Sequence, residues 1–238
     1  MKILAIDTSS MATSVAVLED NKLICEYIIN TKKTHSQKLM PMIENMLNIS
    51  DININEVDVV AVCEGPGSFT GLRIGMATAK AIAHVNKLPI VGINSVEILA
   101  GNMNLCDKNI CSILDAQRTK VYMGQYKFEN NELIEIKNVD VVEIDELIEE
   151  LSNSNEEWIL VGEAVYKYED KLRLVDNIHI PAASHNVSKA SSLCSLAMNK
   201  YNKNIGVYDC YNINPIYIRK SQAEVEYEEK MKRLNDGK

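Results

Sequence analysis

The sequence predicts an α/β protein of two similar units in tandem, each a mixed β-sheet flanked by helices. Three observations carry this. One order of elements, β-β-β-α-β-α-β-α, can be traced twice along the 238 residues. Each copy opens with a short apolar strand that ends in an aspartate, Asp7 in the first and Asp115 in the second. After each aspartate, a polar break and a turn rich in Asn, Asp, Glu and Lys separate runs of β-forming residues, which is the pattern of an antiparallel meander.

In the first copy the opening strand covers 2–7 and the polar break is Thr8-Ser9-Ser10. A strand follows near 13–18, then the turn Glu19-Asp20-Asn21-Lys22 and a third strand near 23–29. Helical and strand periodicities then alternate: a helix near 36–48, a strand at 57–63, a helix near 71–86, a strand at 89–93 and a helix near 95–103. Such alternation implies crossovers onto a mostly parallel sheet. The second copy repeats the order with strands at 110–114, 121–128 and 133–142 around the turn Glu129-Asn130-Asn131-Glu132. A helix near 144–151, a strand at 158–161, a helix near 163–172, a strand near 178–180 and a helix over 187–203 complete it. Domains are therefore expected at 1–104, completed by 205–220, and at 105–204, with a charged tail over 221–238. Two such units side by side are duplicated ribonuclease H-like units, the plan of the actin-like ATPase superfamily; the alternative is one irregular α/β sheet.

Composition narrows the function classes. With 46% apolar and 24% charged residues the chain reads as globular. Its 25 basic and 33 acidic side chains give a net charge of −8, unlike a protein that neutralises phosphates unaided. If RNA is involved, something else holds most of it. Six scattered cysteines form no C-x-x-C pair and are expected as buried thiols in a reducing cytosol. No run approaches the ~20 apolar residues of a membrane span, and no segment resembles a signal peptide, so a cytoplasmic protein is expected.

In actin-like kinases two aspartate hairpins face each other across a cleft and hold phosphate and metal; Asp7 and Asp115 occupy those places. The first hairpin of such kinases carries a glycine after its aspartate, so that backbone amides approach phosphate. Here Thr8, Ser9 and Ser10 crowd that approach, although their hydroxyls could still donate to an anion, so binding is weakened rather than forbidden. The second hairpin, Asp115-Ala116-Gln117-Arg118, also lacks glycine, and only Gly162 stands where a late glycine cluster would close an adenosine pocket. Gly65-Pro66-Gly67-Ser68-Phe69-Thr70-Gly71 runs from a strand into a helix, but it matches neither G-x-x-x-x-G-K-[ST] nor G-x-G-x-x-G. It reads as a tight structural turn with Ser68 or Thr70 capping the helix.

Several stretches together resemble the TsaB (YeaZ) family. They are Ile3-Leu4-Ala5-Ile6-Asp7-Thr8-Ser9, His35-Ser36-Gln37 with Leu39-Met40-Pro41, the run from Gly65 to Gly75, Leu114-Asp115-Ala116-Gln117-Arg118, and Pro215-Ile216-Tyr217-Ile218-Arg219. The Gly65–Gly75 run is the most specific. The resemblance implies a subunit that needs no cofactor, pairs with the catalytic protein TsaD and works with the ATPase TsaE. Together they transfer threonylcarbamoyl to N6 of the adenosine beside a tRNA anticodon. TsaD carries Asn-His-x-x-x-His, two imidazoles on one helical face that bind metal. Ser95 and Leu99 stand in those places here, and leucine cannot ligate a metal. His35, His84, His179 and His185 offer no pair at ligand spacing, so a metallopeptidase has no chemical support. His35, near a helix start, reads as a capping or interface residue.

Without chemistry of its own, the chain's function is expected on its surface. Leu39, Met40, Met42, Ile43, Met46 and Leu47 spread over roughly 160° of the first helix, wider than an ordinary core stripe. Pro41 predicts a late start or a kink. Gly71, Gly75, Ala79 and Ala83 form an i, i+4 ridge of small residues on the second helix, flanked by Leu72, Met76 and Ile82. Such a ridge admits another helix closely. Both helices are read as one patch that docks on TsaD and pairs with itself in a homodimer when alone; the alternative is that the ridge packs on its own sheet. On the docking reading, a bulky residue at Gly75 weakens association and leaves the monomer folded. The competing enzyme reading is an ATP-dependent phosphotransferase using Asp7 and Asp115.

Overall fold

The computed structural model describes residues 1–219 and Tyr227. Apart from Tyr227, the charged tail expected at 221–238 lies outside the described residues. The first sheet is built from β1 (Lys2–Asp7), β2 (Ala12–Glu19), β3 (Lys22–Asn30), β4 (Val59–Gly65) and β5 (Ile90–Asn94). Helices α1 (His35–Ile49) and α2 (Phe69–Asn86) connect β3 to β4 and β4 to β5, and α3 (Ser95–Gly101) follows. The second unit runs β6 (Asn109–Asp115), β7 (Lys120–Glu129), β8 (Glu132–Glu143), α4 (Ile144–Ser152), β9 (Trp158–Val161), α5 (Val165–Leu172), β10 (Ile178–His179) and α6 (Ala190–Asn202), before β11 (Val207–Tyr208).

Strand order is β11-β5-β4-β1-β2-β3 in the first sheet and β10-β9-β6-β7-β8 in the second. In both, the opening hairpins are antiparallel and the crossover strands parallel. The repeated order is thus a duplicated ribonuclease H-like fold. β11 pairs with β5, so after α6 the chain returns to complete the first sheet. Period-two side-chain alternation divides β1 between two cores. Leu4 and Ile6 pack under α1 and α2 with Met46, Met76 and Ala79. Ile3 and Ala5 pack against Leu193, Cys194 and Ala197 of α6.

The structure differs from the expected division in where the last helix of each unit packs. α6 lies against the first sheet, and α3 carries Val96, Leu99 and Ala100 into the core of the second sheet. Each unit therefore lends a helix to the other. Amphipathic spacing tells that a helix buries a stripe, but not against which sheet. A second difference is that α1 runs through Pro41, which lies on its exposed side while Leu39, Met42, Ile43 and Met46 anchor the opposite face. Of the cysteines, Cys63, Cys111 and Cys194 are buried, with burial pushing the Cys111 thiol up to about 12. Cys25, Cys106 and Cys210 are only half-buried, which corrects the expectation of uniformly buried thiols. Among the described residues no helix is long and apolar enough to cross a membrane.

Candidate functional site

Between the units lies an open cleft of about 1310 Å³, with Ser9 and Ser10 of the first hairpin on one wall and Asp115 of the second on the other. The two aspartates differ in surroundings. Asp7 is buried; its Oδ1 accepts the Ser9 amide at 2.7 Å and its Oδ2 accepts the Ser188 hydroxyl from the start of the α6 region. Thr8 turns its hydroxyl onto the Gly71 carbonyl of α2 at 2.7 Å. The Ser10 hydroxyl accepts the Ala12 amide at 3.2 Å. Asp115 is exposed and ion-paired at 2.8 Å with Lys167 of α5, whose ammonium also reaches the Arg118 carbonyl.

The glycine-rich turn behaves as the sequence suggests. The Ser68 amide donates to Ser9 O at 2.7 Å, and the Ser68 hydroxyl accepts the Gly71 amide as the N-cap of α2. A Cβ on Gly67 would stand 2.2 Å from Ser9 O, so the turn needs glycine to touch the first hairpin. The Ser68 amide and hydroxyl are thereby committed to protein partners.

Sequence reasoning missed four side chains in the cleft wall or bonded to the first hairpin behind it. Lys167 and Ser188, just described, are two of them. Glu163, third, has its carboxyl pushed up by burial, against a hydrogen bond from the Met11 backbone, with Asp115 and Asp7 adding to the rise. Asn186, fourth, is buried; its Oδ1 accepts the Gly162 amide while its Nδ2 has no partner among the described residues. None has a local signal, since each partner is distant in sequence. The C-terminal motif does have a structural reason. The Tyr217 ring stacks on Phe69 at 4.2 Å between centroids, and Arg73 lies 4.1 Å over Phe69 while its Nε donates to the Tyr217 hydroxyl.

The expected docking residues need correction. Leu39, Ile43, Met46 and Leu47 of α1, and Leu72, Met76, Ala79 and Ala83 of α2, are buried in the chain's own core, as are Gly71 and Gly75. A Cβ on Gly71 would lie 2.1 Å from Thr8 O and one on Gly75 2.3 Å from Thr8 Oγ1. The small-residue ridge therefore seats α2 on the first hairpin, not on another molecule. Of the patch, Met40 alone is well exposed, at 52%. His35 is neither a cap nor on that face: it lines the cleft, with Nδ1 2.8 Å from the Thr13 hydroxyl. Its imidazole is pushed down in pKa by burial, helped by the Lys38 charge. The outward faces of these helices present Met40, Glu44 and Asn48 on α1, and Arg73, Ala77, Ala81, His84 and Val85 on α2.

Ser95 donates to Pro66 O at 2.5 Å and Leu99 sits in the second-sheet core, so neither fits a ligand role. Among the described residues no group of three or more His, Cys, Asp or Glu is arranged to hold a metal.

A family profile described as TsaD, tRNA N6-adenosine threonylcarbamoyltransferase, matches residues 22–227. The TsaB protein of Bacillus subtilis (strain 168), a tRNA threonylcarbamoyladenosine biosynthesis protein, is 34% identical over 236 residues, covering 98% of this chain and 100% of its own. TsaB of Escherichia coli (strain K12) is 30% identical over 167 residues, 68% of this chain and 71% of that protein. The solved structure of YeaZ from Pseudomonas aeruginosa shares the fold with a TM-score of 0.76 at 23% identity, covering 91% of this chain and 99% of that one. With a relative matched from end to end and the quoted motifs in their places in the fold, this chain belongs to the TsaB (YeaZ) family.

Proposed function

We propose that this chain is a non-catalytic subunit of tRNA N6-threonylcarbamoyladenosine synthesis. It supports TsaD, works with TsaE, and meets tRNA only through the complex. The observation that carries this reading is the outward face of α1 and α2. Ala77 and Ala81 are exposed and one turn apart, with Val85, 76% exposed, in the same row, and Met40 is exposed on α1, which packs against α2. Small side chains there admit a partner helix closely, and exposed apolar neighbours supply area to bury. The same face pairs two copies as a homodimer when TsaD is absent. Ala81→Arg tests this. Loss of the dimer and of co-purification with TsaD, at an unchanged melting temperature, is the expected result; undiminished association contradicts it.

The second reading, an ATP-binding phosphotransferase, is favoured by the cleft in which Ser9, Ser10 and Asp115 face one another. The hydrogen bonds holding Asp7, Thr8 and Ser10 within the fold support a vestigial nucleotide site instead. Titration with ATP, with and without Mg²⁺, separates the two: micromolar affinity with hydrolysis favours the enzyme.

A further inference from the structure

On the flank of α1 away from α2, a second concavity of about 420 Å³ opens between that helix and β3, the edge strand of the first sheet. Its strand wall is Tyr27 and Ile29, two residues apart and so on one face of β3, continued by Thr31 just past the end of the strand. Its helix wall includes Pro41 and Met42. Two features are unusual for a surface that meets only water.

The first is Lys38. This lysine is 6% exposed, yet among the described residues its ammonium makes one long hydrogen bond, to Thr31 O at 3.3 Å. Burial pushes its pKa down, and no acidic neighbour among the described residues opposes the shift. Charged side chains are rarely so covered unless paired. The second is unsatisfied backbone. β3 has no neighbour on its outer side among the described residues, and Pro41 has no N–H to give the Gln37 carbonyl one turn earlier.

We propose that this groove docks an extended acidic peptide segment of a partner protein. The segment adds as a strand along β3, places an apolar side chain against Ile29 and Met42, and seats a carboxylate on the Lys38 ammonium. The placement agrees: Ile29 stands near the end of β3, and Thr31, whose carbonyl holds Lys38, follows just past it. Charge complementarity selects the occupant. Lys33 and Lys38 both line the groove in a chain of net charge −8, and among the described residues no carboxylate lines it. β-Strand addition supplies main-chain hydrogen bonds while the pocket reads alternate side chains.

The test uses the full chain and two synthetic peptides, acetyl-Thr-Ile-Thr-Val-Thr-Glu-Thr-amide and the same residues in reverse order, followed by amide NMR titration. At least one should shift the resonances of residues 22–30 and 37–45. Replacing its Glu by Gln should weaken binding roughly tenfold, the loss of one charge-assisted hydrogen bond. Lys38→Met should abolish binding and melt no lower than the unaltered chain, because the lone cation is replaced by an apolar side chain of similar length. Lys38→Arg should retain binding. Equal binding of the Gln peptide, shifts elsewhere on the protein, no binding of either peptide, or a Lys38→Met variant that melts lower would each overturn the proposal.

Discussion

The two aspartate hairpins occupy equivalent places in a duplicated fold and have become different things. The first is sealed: Asp7, Thr8 and Ser9 are buried, bonded to one another, to α2 and to Ser188. The second stands in solvent, its aspartate held by a surface lysine. Burial sets the consequence of change. Groups whose partners are sealed in with them cannot turn to water when one is lost, whereas Asp115 and Lys167 can. The first hairpin is thus a seat for α2, and damage there reaches the fold; the second is a surface feature.

The largest effect that would break this contrast is at Gly75. Gly75→Leu forces atoms into Thr8 and should destabilise the chain by about 3 kcal/mol or more, roughly 6–12 °C in melting temperature. A variant that melts normally and merely dissociates would restore the docking role first read for the glycine ridge. Next is Asp7→Ala, which strands the Ser9 amide and the Ser188 hydroxyl and should cost about 2 kcal/mol by denaturant unfolding. Glu163→Gln is a subtler probe of the cleft. Its raised carboxyl pKa means the folded chain holds a proton that the unfolded chain releases, so its stability falls as pH rises from the ordinary 4.5 through the raised value. Melting curves should therefore show the Gln variant more stable at mildly alkaline pH, with the difference vanishing below 4.5. A constant difference across pH would exclude that burial effect. Smallest is Asp115→Ala, at about 0–1 kcal/mol for an exposed pair; a loss matching that of Asp7→Ala would erase the contrast between the hairpins.

Much of this was legible in the sequence, because it is local. The strand-aspartate-polar break, the two turns and the Ser68 cap are each decided within a few residues, and the structure places them where the spacing puts them. What was not legible depends on partners far along the chain. The ridge at Gly71, Gly75, Ala79 and Ala83 announces a close neighbour, but Thr8, its actual neighbour, is named only by the fold. The outward row at Ala77 and Ala81 has the same spacing, so composition alone could not say which row faces the sheet. The exchange of α3 and α6, the Tyr217–Phe69 stack and the Ser188–Asp7 bond were hidden for the same reason.

The central claim is that the chain contributes to threonylcarbamoyl transfer by contact and not by chemistry. Reconstitution measures this most directly: transfer to tRNA by TsaD and TsaE with the unaltered chain, with Ala81→Arg, with Asp115→Ala, and without it. Transfer that requires the chain, persists with Asp115→Ala and is lost with Ala81→Arg is the predicted result. Full transfer without the chain, or loss with Asp115→Ala alone, would contradict it.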